Sequence, residues 1–240
     1  MKIFNHTLFL FVFLLCCIQL PAQLIQGKIT YERKTNLYKK FKDDNVKEWL
    51  KEEDKNKVDL FELYFNDSLS VFKPQESDLK EINSWATQKN TVYKNFKTRT
   101  QFSVKSIWGD KILIEDSLLN RTWKITSSKR NIAGYDCRKA IWYIHDTTPI
   151  YAWYTDDIIP SVGPESFGNL PGAILGLATE DGGVIYFAKR VEAIQPDFNE
   201  IIPKKGKSKV YGVSELKTKL EKDYGKNPWA KAMIRDMFSW

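Results

Sequence analysis

The stretch Leu60-Phe61-Glu62-Leu63-Tyr64-Phe65-Asn66-Asp67-Ser68-Leu69-Ser70-Val71-Phe72 sets two strand-like runs on either side of Asn66-Asp67, a two-residue hairpin turn. The same pattern recurs outward from it. Upstream, Ile25, Gly27, Ile29 and Tyr31 alternate with Gln26, Lys28, Thr30 and Glu32, as in a half-buried strand. Downstream, strand-like runs cover 91–98, 101–108, 111–116, 122–127 and 135–145. Residues 150–155 pair back across Asp146-Thr147-Thr148-Pro149, and 173–179 and 184–191 flank Glu180-Asp181-Gly182-Gly183. Strands joined by such short turns run antiparallel, since parallel neighbours need long crossovers. The expected fold is mainly β (α+β), an antiparallel β-meander forming a curved sheet or half-barrel.

Two regions leave this period. Val46, Trp49 and Leu50 stand at helical spacing in a polar background, which predicts a helical excursion over 43–56. Near the end, Ser214 can cap a helix that aligns Leu216, Leu220 and Tyr224 and stops at Gly225. Asn227-Pro228 then starts another, with Trp229, Met233 and Met237 at four-residue steps. No break in composition divides the chain, so 24–240 reads as a single β-rich domain.

Residues 1–23 read as a signal peptide. Lys2 gives a positive start, 7–18 is almost unbroken apolar sequence, and Leu20-Pro21-Ala22-Gln23 offers a small residue for cleavage. That run is shorter than the ~18 residues of a membrane span, so no transmembrane segment is expected in the mature chain. The chain is expected to be exported, and to be periplasmic or associated with the outer membrane. Cleavage would also remove Cys16 and Cys17, leaving Cys137 alone without an internal disulfide partner. The net charge of +7 is modest and scattered, and export argues against a nucleic-acid partner.

The chemistry available is limited. Metal sites need clustered ligands, yet the mature chain holds one histidine, His145, and one cysteine. An oxygen-ligand calcium site would fall to Asp156, Asp157, Glu180 and Asp181, which lack an EF-hand spacing. No metal and no cofactor is expected. Cys137 and His145 share a strand face but stand eight residues apart, roughly 26 Å along an extended strand, so they cannot form a nucleophile–base pair there. No catalytic residue is assigned.

What remains is surface. Trp142, Tyr143, Tyr151, Trp153 and Tyr154 put aromatics on both faces of one hairpin, so both faces need a cover or a partner. The segment Phe167-Gly168-Asn169-Leu170-Pro171-Gly172-Ala173-Ile174-Leu175-Gly176-Leu177 is apolar and turn-fixed, with Leu170-Pro171-Gly172-Ala173 expected as a type II turn. Trp153, Phe167, Leu170, Pro171, Gly172 and Ile174 are the candidate ligand- or partner-binding residues.

That segment resembles the signature of the GLPGLI family of exported proteins from Gram-negative bacteria. The similarity extends to Gly134-Tyr135-Asp136-Cys137-Arg138-Lys139-Ala140, to Ala152-Trp153-Tyr154-Thr155 with Ile159-Pro160 and Gly163-Pro164, to Gly27-Lys28-Ile29-Thr30-Tyr31, and to Asn227-Pro228. Asn169 stands in place of the name peptide's first glycine and Ala173 in place of its second leucine. Asn tolerates a left-handed backbone, which keeps the turn feasible. The resemblance implies an exported β-rich domain and assigns no activity.

Three functions compete. The first is a non-enzymatic binding protein of the cell envelope, holding a lipid-like or other apolar ligand in a groove of the curved sheet. The second is an interaction module that docks an outer-membrane protein through 167–177. The weakest is a hydrolase using His145 or an acid pair.

Overall fold

At Asn66 the backbone N–H donates to Leu69 O at 2.9 Å, and the side-chain oxygen accepts from Ser68 N and Leu69 N at 2.8 and 2.7 Å. The expected hairpin therefore forms, with its two turn residues one position later, at Asp67-Ser68, and with Asn66 at the head of the turn satisfying its backbone donors. It joins β2 (Asn56–Phe65) to β3 (Leu69–Pro74). This computed structural model describes residues 23–41, 47–48, 50–76, 83–107, 110–144, 148–202, 209–227, 230–231, 234 and 237–238. The leader up to residue 22, Val46, Trp49, His145, Pro228, Trp229 and Met233 lie outside the described residues.

The other strands are β1 (Gly27–Asn36), β4 (Thr91–Asn95), β5 (Thr100–Ile107), β6 (Asp110–Ser117), β7 (Lys124–Ile132), β8 (Tyr135–Ile144), β9 (Thr148–Thr155), β10 (Ala173–Thr179), β11 (Val184–Glu192) and β12 (Val210–Tyr211). They form one open, curved 12-stranded sheet in the order β12-β6-β5-β4-β3-β2-β1-β11-β10-β9-β8-β7. Two meanders, β1 to β6 and β7 to β11, are thus zipped together by the antiparallel pairing of β1 with β11. β12 is the exception to an antiparallel sheet, pairing parallel to β6. It arrives through a long connection rather than a tight turn, which frees its direction.

The helices described in full are α1 (Leu37–Lys40), α2 (Phe198–Ile201) and α3 (Val213–Tyr224), and Lys47, Glu48, Ala230, Lys231, Ile234 and Met237 are helical as well. Within the expected excursion at 43–56, Lys47 and Glu48 are helical, a 3-10 turn occupies Glu52–Lys55, and Asn56 already opens β2. Leu50 packs with Leu37 and Ala86 in a small cluster of its own. Gly212, rather than Ser214, is the N-cap of α3, and Gly225 closes it by donating to Glu221 O at 2.9 Å. Leu216 and Leu220 are buried against Ile114, Ile234 and Met237, while Tyr224 is exposed.

A short link enforces the curvature. Only residues 118–123 connect β6 to β7, although these strands stand ten places apart in the sheet. Flat strands at ~4.8 Å spacing would separate them by ~48 Å, whereas such a link reaches ~25 Å at most. The sheet must curl, and the 118–123 link crosses its inner face.

Candidate functional site

Strand register carries one set of side chains across that inner face. Trp142 pairs with Ile150 and Leu177 with Tyr186; Tyr186 pairs with Arg33, and Arg33 with Asp59. Further on, Phe72 pairs with Val92, and Val92 with Ser103, so Lys94 and Lys105 share the face. Ile29, Tyr31, Phe61, Leu63 and Phe72 are its apolar part, with Phe61 and Phe72 stacked at 4.8 Å.

Among these apolar groups lies a buried polar layer. Arg33 donates to Asp59 at 2.7 Å, and Asp59 also accepts from Lys57 at 2.8 Å and Thr87 at 2.9 Å. Burial alone would raise the Asp59 carboxyl, but Arg33, Lys57 and Thr87 hold it down at about 2. Burial likewise opposes the charge on Arg33, yet Tyr186, Glu165 and Asp59 outweigh it and keep its pKa above the ordinary range. Glu165 accepts from Tyr186 at 2.9 Å and Asn90 at 3.3 Å, and lies 3.8 Å from Arg33.

The 156–172 loop covers this layer. Three successive carbonyls are taken by side chains from elsewhere: Ser166 O by Arg121 at 2.9 Å, Phe167 O by Lys94 at 2.6 Å, and Gly168 O by Trp123 at 2.9 Å. Arg121 also donates to Ser166 Oγ at 2.7 Å, and its guanidinium lies 4.3 Å over the Phe167 ring. The link that enforces the curvature is therefore the clamp that holds the loop. Burial and the nearby Arg121 push Lys94 down to about 7, against the pull of Glu165. A second buried lysine, Lys105, donates to Met237 O at 2.6 Å and so ties the C-terminal segment to the same face; burial lowers its pKa, again against Glu165.

The loop carries backbone strain of its own. Glu165 and Asn169 are left-handed at φ +51° and +67°, and Gly172 sits at φ +131°. A side chain on Gly172 would place its Cβ 1.9 Å from Thr155 O. The turn is not type II: Gly172 N–H closes on Leu170 O at 2.8 Å, a three-residue turn about Pro171, and Ala173 N–H is drawn away to Ile158 O at 3.1 Å.

The six candidate residues separate. Phe167, Leu170, Gly172 and Ile174 are buried in the main core, and Ile174 O accepts from Tyr31 OH at 2.6 Å. Pro171 is exposed. Trp153 is half-buried beside Phe187, with Arg130 4.9 Å over its ring, whereas Trp142 packs with Phe167 and Trp123. Aromatics of the 135–155 hairpin thus serve two different environments. The calcium candidates are not gathered, and among the described residues no group of three His, Cys, Asp or Glu is placed to hold a metal. Asp181 instead accepts from Thr179 and Gly183 within its hairpin turn. Among the described residues no helix is long and apolar enough to cross a membrane.

Arg33, Asp59, Lys94, Lys105, Arg121 and Glu165 belong to no motif in the sequence. Parity is the one signal they carry: Arg33 continues Ile29 and Tyr31 at two-residue steps, and Lys94 continues Val92.

The chain matches no protein-family model and no curated protein. Two crystal forms of PNGF-II share its fold over 78% of this chain at TM-score 0.53, with 17% and 16% identity. The match spans 30% and 31% of those longer chains, and at such identity it speaks to fold alone. An uncharacterised conserved protein from Thermus thermophilus aligns over 78% of this chain and 90% of its own at TM-score 0.40 and 6% identity, too remote for any argument.

Proposed function

We propose that this is an exported, non-enzymatic binding protein of the cell envelope that holds a lipid-like ligand against the inner face of its sheet. One observation carries the reading. That face supports two separate apolar clusters, one under the 156–172 loop and one under α3, with the buried lysines Lys94 and Lys105 between them. A face needed only as core is better served by apolar residues, because buried charges are costly to desolvate. Each cover meets the polar layer through a lysine-to-carbonyl hydrogen bond, a contact that a ligand's own acceptor can replace. Export rests on the leader-like 1–23 segment and on the GLPGLI-like motifs. The docking alternative has less support, since of the loop side chains it calls on, Phe167, Leu170 and Ile174 are buried.

N-phenyl-1-naphthylamine, a neutral apolar fluorophore, tests the reading on the mature chain. Saturable binding at one equivalent, displaced by long-chain lipids, is the expected result. A folded protein that leaves the dye dark contradicts it.

A further inference from the structure

We infer that the buried layer between the two covers receives an anionic head group, a carboxylate or a phosphate, belonging to the ligand of the inner face; this rests on the binding reading above. Three buried cations carry the argument. Lys94, Lys105 and Arg121 are 3%, 8% and 4% exposed. Their hydrogen-bond acceptors among the described residues are Phe167 O, Met237 O, and Ser166 O and Oγ, all of them neutral. None of the three forms an ion pair with a described carboxylate.

Glu165 is the one carboxylate whose charge acts on both lysines, and it is already engaged by Tyr186, Asn90 and Arg33. Its backbone is left-handed, an unfavourable conformation for a residue with a Cβ, and its side chain is buried. One shared carboxylate leaves the layer with surplus positive charge. The Phe167 and Trp142 ring faces stabilise Arg121 in part, at 4.3 and 5.1 Å. They do not fill its fork, and Arg121 Nε has no hydrogen-bond partner. An oxyanion accepting from Arg121 and from the remaining N–H groups of Lys94 supplies both the missing charge and the missing acceptors.

The test titrates the mature chain with dodecanoate, dodecanol, acetate and inorganic phosphate by isothermal calorimetry, alongside Lys94→Met and Lys105→Met. Dodecanoate should bind about tenfold or more tighter than dodecanol, and each variant should reduce that preference. Equal affinity for the two by the native chain overturns the anionic site and leaves the binding protein standing. A preference unchanged in both variants also overturns it, because the charge is then read elsewhere. Acetate or phosphate bound in a Lys94-dependent way, with no amphiphile bound, upholds the anionic site and overturns the lipid-like ligand. No binding of any probe to the folded chain overturns both.

Discussion

Lys94 Nζ on β4 donates to the carbonyl oxygen of Phe167 at 2.6 Å, and neither residue is open to solvent. A strand in the first meander thereby holds the loop that precedes β10 in the second. The loop is fixed to the sheet by charge as well as by apolar contact.

Lys94 makes stability depend on pH in an unusual direction. The unfolded chain keeps this proton to about 10.5, whereas the folded one, under burial and the Arg121 charge and against Glu165, releases it at about 7. Between those values the unfolded state binds more protons, so stability rises with pH, and the penalty is complete below about 7. Relative to Lys94→Met, the native chain should gain up to about 1.4 kcal/mol per pH unit across that window. Urea unfolding of both at pH 6, 7.5 and 9 measures it; parallel pH profiles would show that Lys94 stays charged.

Gly172→Ala should be severely destabilising, by roughly 3 kcal/mol or more, because both the positive φ and the approach to Thr155 O exclude a Cβ. Pro171→Ala, one residue away and exposed, should cost about 1 kcal/mol or less. Thermal melts of the two variants side by side check the contrast.

Asp59→Asn removes the carboxylate that Arg33 and Lys57 bond to in the interior and should cost about 3–5 kcal/mol. The same carboxylate makes the protein acid-sensitive. Its pKa falls from 3.8 to about 2 on folding, so its contribution is present above about 4 and is lost as pH drops through 2. Acid titration followed by circular dichroism should show native stability declining across that interval, and a smaller decline in Asp59→Asn.

Cys137 should be inert in the folded protein. It is fully buried, and burial together with the nearby Asp136 raises its thiol to about 12. A chain starting at Leu24 and treated with a disulfide reagent at pH 8 should stay unlabelled, and should take up one equivalent once urea unfolds it.

Much of the fold is legible from local signals. Asn66-Asp67 and Glu180-Asp181-Gly182-Gly183 mark hairpins that form, and alternation marks β1 through Ile29 and Tyr31. The parallel pairing of β12 has no local signal, since a two-residue strand is defined only by its neighbour. The turn at Pro171 departs from type II because the competing acceptor, Ile158 O, comes from the loop's own earlier part. The polar layer is hidden for a different reason. Arg33 and Lys94 obey the inward parity, but charge is ordinarily a mark of solvent, and only the covering loop reverses that inference.

The central claim is that the inner face holds a ligand, and native mass spectrometry tests it most directly. The protein would be produced with its own leader in a Gram-negative envelope and measured before and after organic extraction. The account predicts a chain beginning near Leu24 that carries an extra mass, lost on extraction and negatively charged when released. A folded chain of bare polypeptide mass, unchanged by extraction, would contradict it.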